Sequence, residues 1–230
     1  MKWASQAAML LGVIALVQPL SGARADIVLS ELIVELQPGS HAREDIEIWN
    51  NDSARAYVAV DPAEVMNAGR PDQRRLEDPD PEKLGLLAAP TRMILEPGQR
   101  KLVRLAALGA GGERERVYRV TVKPVAGPLS SETSGLKVLV GYDVLVLVRP
   151  SAVHPHVLGQ RSGDRLVIRN DGNVSVELTQ GRQCDSAGEH CLDLPARRIY
   201  AGSDWAPALS SNGPVEYSVK SPAATVRMKF

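Results

Sequence analysis

The sequence predicts an all-β protein made of two β-sandwiches. Short segments in which apolar and polar residues alternate recur along the chain, and clusters of turn-forming residues separate them. No segment shows convincing helical periodicity, although residues 81–88 allow one turn. Apolar residues make up 44% of the chain, which is ordinary for a folded protein, and the single phenylalanine is the last residue. The cores should therefore be mainly aliphatic.

Residues 1–25 have the pattern of a secretory signal peptide. Lys2 gives a positive start, residues 7–17 form an apolar core, and Ala23-Arg24-Ala25 supplies small residues for cleavage before Asp26. A retained membrane anchor is the alternative, but the apolar core is short for one. The chain carries 27 basic and 27 acidic residues, a balance that points neither to nucleic acid nor to an anionic membrane surface.

Residues 26–149 contain a series of short predicted strands. The alternating segments are 27–36, 44–49, 56–60, 93–95, 101–106 and 116–123. The segment 66–83 is heavily charged and contains three prolines, so we expect it to be a long exposed excursion from the fold.

The longest predicted strand is 136–148, which is mostly valine and leucine and would span roughly 40 Å. One of its faces carries Leu136, Val138, Val140, Tyr142, Val144, Val146 and Val148. The opposite face begins polar and becomes apolar, so the second half of the strand is apolar on both faces. It is either an ordinary central strand, or a strand that is buried at one end and offers apolar side chains at the other.

The segment Arg149-Pro150-Ser151 marks a predicted domain boundary. Beyond it, residues 150–230 contain shorter and more polar strands at 165–169, 175–179, 214–219 and 225–229, which favour a second, smaller sandwich. Cys184 and Cys191 are the only cysteines, and their turn-rich spacing in a secreted chain predicts a hairpin disulfide. A metal site that includes His190 is the alternative, but it lacks a fourth ligand.

The sequence contains no recognisable catalytic motif. It has no nucleophile elbow, no HExxH and no glycine-rich phosphate loop after a strand. His154 and His156 form the only histidine pair, and no cysteine or acid follows closely enough to complete a metal site. We therefore expect no enzyme activity, no cofactor and no metal.

The order of these segments resembles the periplasmic pilus-assembly chaperones of chaperone–usher secretion. Residues 95–105 (LEPGQRKLVRL) look like a turn and the following strand of that family, and residues 115–120 (ERVYRV) like the strand before its long loop. The loop, the long strand and Arg149-Pro150 follow in the family's order, and residues 164–173 are similar to the opening of its second domain. The resemblance covers the whole mature chain and implies two immunoglobulin-like domains set at an angle.

The same resemblance implies a periplasmic chaperone that caps pilus or fimbrial subunits and delivers them to an outer-membrane usher. In this family the chaperone donates its long strand to a subunit that lacks a final strand, a mode called donor-strand complementation. By position, the inserted side chains would be Leu136, Val138 and Val140, with Tyr142 continuing the row. An exposed apolar strand promotes aggregation, so we expect the free protein to cover it by self-association or by its own loop.

Two positions depart from the family pattern. Relatives commonly hold the terminal carboxylate of the subunit with an arginine on the first strand and a lysine late in the long strand, but Val34 and Leu145 stand near those places here. This indicates a divergent branch. The resemblance also implies that Arg149, at the junction, pairs with Glu115 and connects the two domains.

A secreted two-domain β-sandwich adhesin or carbohydrate-binding module is the alternative interpretation. Such modules usually stack sugars on grouped, exposed aromatic side chains, whereas Trp49, Trp205 and Tyr217 are scattered along this sequence.

Overall fold

The computed structural model describes residues 27–39, 41–109, 111–125, 139–185, 188 and 190–230. These residues form strands almost throughout, with one short helical turn, so the predicted all-β class is confirmed. No helix within these ranges combines the length and apolar character needed to cross a membrane. The predicted signal peptide, and Leu136 and Val138 of the predicted long strand, lie outside the described residues.

The N-terminal half of the chain forms two sheets that enclose one core. Its strands are β1 (Ile27–Leu29), β2 (Ile33–Leu36), β3 (Arg43–Asn50), β4 (Ala56–Met66), β5 (Arg74–Leu76), β6 (Leu86–Ala89), β7 (Arg92–Leu95), β8 (Arg100–Ala107), β9 (Arg116–Val125) and β10 (Tyr142–Val148). One sheet has the order β1-β3-β8-β6, and the other has the order β2-β10-β9-β4-β5 with β7 also paired to β4. Alternate residues of both sheets, such as Ile46, Val103, Val120 and Val144, are buried between them.

The charged excursion contains the single helical turn α1 (Pro81–Leu84). The Asp80 carboxylate caps it by accepting a hydrogen bond from the Glu82 amide at 3.0 Å, and Gly85 ends it with a φ of 79°. Before this excursion, β4 runs farther than predicted. It continues past Pro62 because Ala63 and Val65 alternate as buried residues on one face.

The predicted first strand, 27–36, is divided between the two sheets. Its first part, β1, pairs antiparallel with β3, and its second part, β2, pairs parallel with β10. Ser30 is still bonded to the first sheet, since its amide donates to the Glu47 carbonyl at 2.9 Å. The chain then crosses to the other sheet, and this crossover decides how much of β10 is covered by a neighbouring strand.

The C-terminal half forms a second pair of sheets. Its strands are β11 (Val157–Ser162), β12 (Arg165–Asn170), β13 (Val176–Cys184), β14 (Cys191–Leu194), β15 (Arg197–Ile199), β16 (Asp204–Trp205), β17 (Val215–Lys220) and β18 (Thr225–Lys229). Three of them form the sheet β11-β12-β16, and the others form β14-β13-β17-β18 with β15 also paired to β13.

A separate aliphatic core fills this second sandwich. Leu166, Ile168 and Leu178 are fully buried in it together with Tyr217, whose pKa is raised to about 12 by burial. A disulfide joins Cys184 of β13 to Cys191 of β14, which face each other in the strand register. In a core this small, such a cross-link adds stability that apolar burial alone supplies less readily.

Candidate functional site

Strand β10 is buried on both faces at the end nearest the C-terminal half. Val144 and Val146 point into the core of the N-terminal sandwich. Leu145 and Leu147 point to the opposite face, where Tyr200 of the C-terminal half packs against their cluster. The prediction that the second half of this strand is apolar and buried on both faces is therefore confirmed.

The other end of β10 has a strand neighbour on one side only. Residues 142–148 all pair with β9, but pairing with β2 begins at Leu145, whose amide donates to the Leu32 carbonyl at 2.9 Å. Within the described part of the chain, no strand pairs with Tyr142–Val144 on the side away from β9. We call this side of Tyr142–Val144 the open edge. Such an edge is a template for the addition of a strand from another chain.

The residues just before β10 expose apolar side chains. Leu139 is 36% exposed and Val140 is 56% exposed, and neither belongs to a strand. The predicted strand 136–148 is therefore shorter in the described residues and begins at Tyr142. Leu136 and Val138, which share a face with Val140 in the predicted strand, lie outside the described residues.

The side chain of Tyr142 faces the protein's own core. Its ring packs against the core of the N-terminal sandwich, and its hydroxyl donates to the Ile27 carbonyl at 2.7 Å. The expectation that Tyr142 continues a projecting row is corrected by this contact, because the ring closes the end of the sandwich. In the described residues, the projecting side chains end at Val140.

The two positions that depart from the family pattern are both buried. Val34 is 1% exposed in the core, and Leu145 is 5% exposed beneath Tyr200, so neither presents a charge or takes part in an anion site. Exposed apolar side chains stand nearby instead, since Leu32 and Ile33 on the crossover are 52% and 48% exposed. The surroundings of the open edge are therefore apolar where relatives are expected to be basic.

A buried ionic network lies at the end of β10. The Arg149 guanidinium pairs with the Glu115 carboxylate and, at 2.8 Å, with Glu35 of β2. The amide and the hydroxyl of Ser175, in the C-terminal half, each donate to Glu115 Oε2 at 3.2 Å. We call these four residues the junction network. The structure thus places Arg149 beside Glu115, and it adds Glu35 and Ser175, which sequence reasoning did not single out.

A second exposed apolar group lies on the outer face of the sheet that contains β10. Tyr57 of β4 faces Val125 of β9 on one side and Ile94 of β7 on the other. These three side chains, the outer row, are 37%, 46% and 43% exposed. Their sequence neighbours Val58 and Met93 point into the core, so the outer row faces away from it. It lines an open groove of about 600 Å³.

The aromatic residues form no exposed platform in the described chain. Trp205 and Tyr217 were expected to be scattered, but their ring centroids lie 6.1 Å apart at an interplanar angle of 72°. That expectation is wrong for this pair, yet Tyr217 is fully buried, so the pair offers no stacking surface for a sugar. Trp49 is covered by the Arg100 guanidinium at 4.9 Å. The described residues also contain no group of three or more histidines, cysteines or acids able to hold a metal ion.

No protein-family model matches the chain. Among curated proteins, it is similar to a CS1 fimbrial protein of Escherichia coli, with 27% identity over 202 residues that cover 83% of this chain and 84% of that protein. Among solved structures, it is similar to the class 5 fimbriae chaperone CfaA, with a TM-score of 0.66, 20% identity, and coverage of 88% of this chain and 98% of that chain.

This chain has the fold of the fimbrial chaperones. A chain in the Salmonella enterica complex of SafA pilin with the SafB chaperone matches with a TM-score of 0.63 and 15% identity, over 90% of this chain and 97% of that chain. The predicted resemblance is therefore confirmed, and so is the predicted two-domain immunoglobulin-like fold. In this fold the open edge and the junction network lie at opposite ends of one strand.

Proposed function

We propose that this protein is a periplasmic chaperone that binds pilus or fimbrial subunits through the open edge of β10. The observation that carries the proposal is that β10 has no second neighbour among the described strands at Tyr142–Val144 and is preceded by the exposed Val140. The similarity to the CfaA chaperone and to a chaperone–pilin complex supports the same function. The identity with a CS1 fimbrial protein of Escherichia coli supports it further.

Strand addition at the open edge would combine two kinds of contact. Backbone groups of Tyr142–Val144 would pair with an edge strand of the subunit, while Val140 enters its apolar groove. Leu136 and Val138 precede Val140 at intervals of two residues, so we propose that they continue the inserted row. Each fully buried side chain of this kind contributes roughly 1.5–3 kcal/mol before ordering costs. Affinity of this origin needs no catalytic group.

The crossover would limit how far the added strand extends. Pairing of β2 with β10 begins at Leu145, so an incoming strand meets the chain at Leu32 and Ile33. Both side chains are about half exposed and apolar. We propose that they contact the end of the added strand, in place of the basic anchor expected in relatives.

The junction network would hold the two domains in a fixed relation. Glu115 and Arg149 belong to the N-terminal half, whereas Ser175 belongs to the C-terminal half, and no described strand pairs across the boundary. We propose domains at 26–149 and 150–230, connected by this network. Its role is structural.

The outer row offers a surface for a second protein. Tyr57, Val125 and Ile94 face away from the sandwich core, whereas Val140 would be occupied by the subunit. We propose that the outer row contacts the outer-membrane usher while the open edge holds its cargo. The predicted signal peptide and the similarity to the periplasmic chaperone SfaE support the same compartment for all three partners.

The proposal is tested by co-expression with a fimbrial subunit encoded in the same gene cluster. Val140→Asp places a charge in the inserted row, and Leu102→Asp is its matched control because Leu102 is also 56% exposed but lies on β8 of the other sheet. We expect Val140→Asp to lose most of the co-purified subunit and Leu102→Asp to retain it. Equal recovery from both folded variants would contradict the proposal, and glycan binding without subunit capture would favour the adhesin.

A further inference from the structure

We propose that Tyr142 is a positioning residue that sets the register between β10 and the bound subunit. This inference rests on the proposed function. By its spacing Tyr142 belongs to the same face as Val140, but its hydroxyl donates to the Ile27 carbonyl at 2.7 Å. Ile27 lies in β1, in the opposite sheet from β10. The side chain therefore spans the sandwich and ties the first residue of β10 to the other sheet.

The need for such a tie follows from the one-sided pairing of β10. Between Tyr142 and Val144, β9 is the only strand neighbour in the described residues, because β2 joins at Leu145. A shift of one residue in a strand turns every side chain to the opposite face. A strand that must present Val140 to a subunit therefore needs a fixed starting point.

The residues on either side of Tyr142 show where that point lies. At Gly141, a Cβ atom would come within 3.1 Å of the Lys123 Cβ and of the Val122 carbonyl oxygen, so the backbone runs tightly against β9 there. One residue earlier, the side chain of Val140 is 56% exposed. The change from a held strand to an exposed segment thus occurs within two residues, directly beside the Tyr142 hydrogen bond.

The usual means of fixing the subunit are absent at the corresponding places. Val34 and Leu145 are buried and carry no charge, so the register cannot depend on ion pairing of a chain terminus at those residues. The contact from Tyr142 to Ile27 joins segments 115 residues apart, and it fixes the strand from within the chaperone before a subunit arrives.

The test compares Tyr142→Phe with Tyr118→Phe. Tyr118 is the matched control because its hydroxyl also donates to a backbone carbonyl of the N-terminal sandwich, that of Leu84 at 3.0 Å, away from the open edge. Both variants lose one such hydrogen bond and keep the ring. The first measurement is hydrogen–deuterium exchange of the amides of residues 139–144 in the isolated full chain. We expect faster exchange there in Tyr142→Phe, by about tenfold, and unchanged exchange there in Tyr118→Phe.

The second measurement is the dissociation rate of the co-expressed fimbrial subunit from each purified variant. We expect dissociation to be several-fold faster from Tyr142→Phe than from Tyr118→Phe. If the two variants match in both exchange and dissociation, Tyr142 is an ordinary core residue and the inference is overturned. If the wild-type chain captures no subunit, the proposed function fails, while the exchange measurement still decides whether Tyr142 holds the start of β10.

Discussion

The two ends of β10 differ in almost every physical respect, although they belong to one short strand. At the junction end, Leu145 and Leu147 are buried and Arg149 is 3% exposed within an ionic network. At the open end, Val140 is 56% exposed and the Tyr142–Val144 backbone has a described strand neighbour on one side only. The junction end contributes to stability, and the open end is available for binding.

The difference arises from the crossover of the first strand, not from the composition of β10 itself. Residues 144–148 are valine or leucine and so are Leu139 and Val140, yet only the first group has β2 beside it. Because the chain leaves the first sheet after Ser30 and reaches the second at Ile33, β2 covers the later half of β10 alone. Sheet switching by one segment thus divides its neighbour into a core part and a binding part.

The largest expected effect is at the junction end. Arg149→Met removes the partner of Glu115, whose side chain is 1% exposed, and leaves a carboxylate buried without a counter-charge. We expect a loss of about 3–5 kcal/mol in the free energy of unfolding, measured by urea denaturation. The double variant Arg149→Met/Glu115→Gln should recover much of this loss, because the buried charge is also removed. A single variant as stable as the wild type would mean that the junction network is not a buried ionic site.

A truncation at each end compares core with binding surface directly. Leu147→Ala empties a fully buried position between the two halves, and we expect it to cost about 2–5 kcal/mol of unfolding free energy. Val140→Ala removes an exposed side chain and should change stability by less than about 0.5 kcal/mol. Subunit recovery should show the reverse order once the folded fractions are matched. Similar stability losses for both variants would remove the distinction between the two ends.

The sequence predicts the faces of β10 but not its neighbours. Alternation and apolar content identify the later half as buried on both sides, and they correctly locate strands such as Thr225–Lys229. They do not reveal the division of residues 27–36, because the alternating pattern continues through the crossover. The inward turn of Tyr142 escapes sequence reasoning for a similar reason. Its bond to Ile27 depends on which strands meet in space, and no local pattern encodes that.

The outer row tests whether the open end serves one partner or two. Ile94→Asp adds a charge to a 43% exposed side chain outside the core, so we expect stability to change by less than about 0.5 kcal/mol. We expect the variant to capture subunits as the wild type does and to lose binding of the loaded chaperone to an usher in a pull-down assay. Unchanged usher binding would exclude the outer row from that contact, and loss of subunit capture would place it in the subunit interface instead.

The smallest effect is expected for the ion pair at the open end, which is the exposed counterpart of the junction network. Asp143 Oδ2 lies 2.6 Å from Arg75 Nη2, but the two side chains are 40% and 45% exposed. Exposed pairs of this kind contribute about 0.2–1 kcal/mol and are screened by salt. We therefore expect Asp143→Asn to cost less than about 1 kcal/mol at low salt and less again at high salt. Asp61→Asn, which breaks a similarly exposed pair with Arg92 at 2.8 Å, is the matched control. A larger, salt-independent loss for Asp143→Asn alone would mean that the open end is held as firmly as the junction end, and the contrast between them would then have to be abandoned.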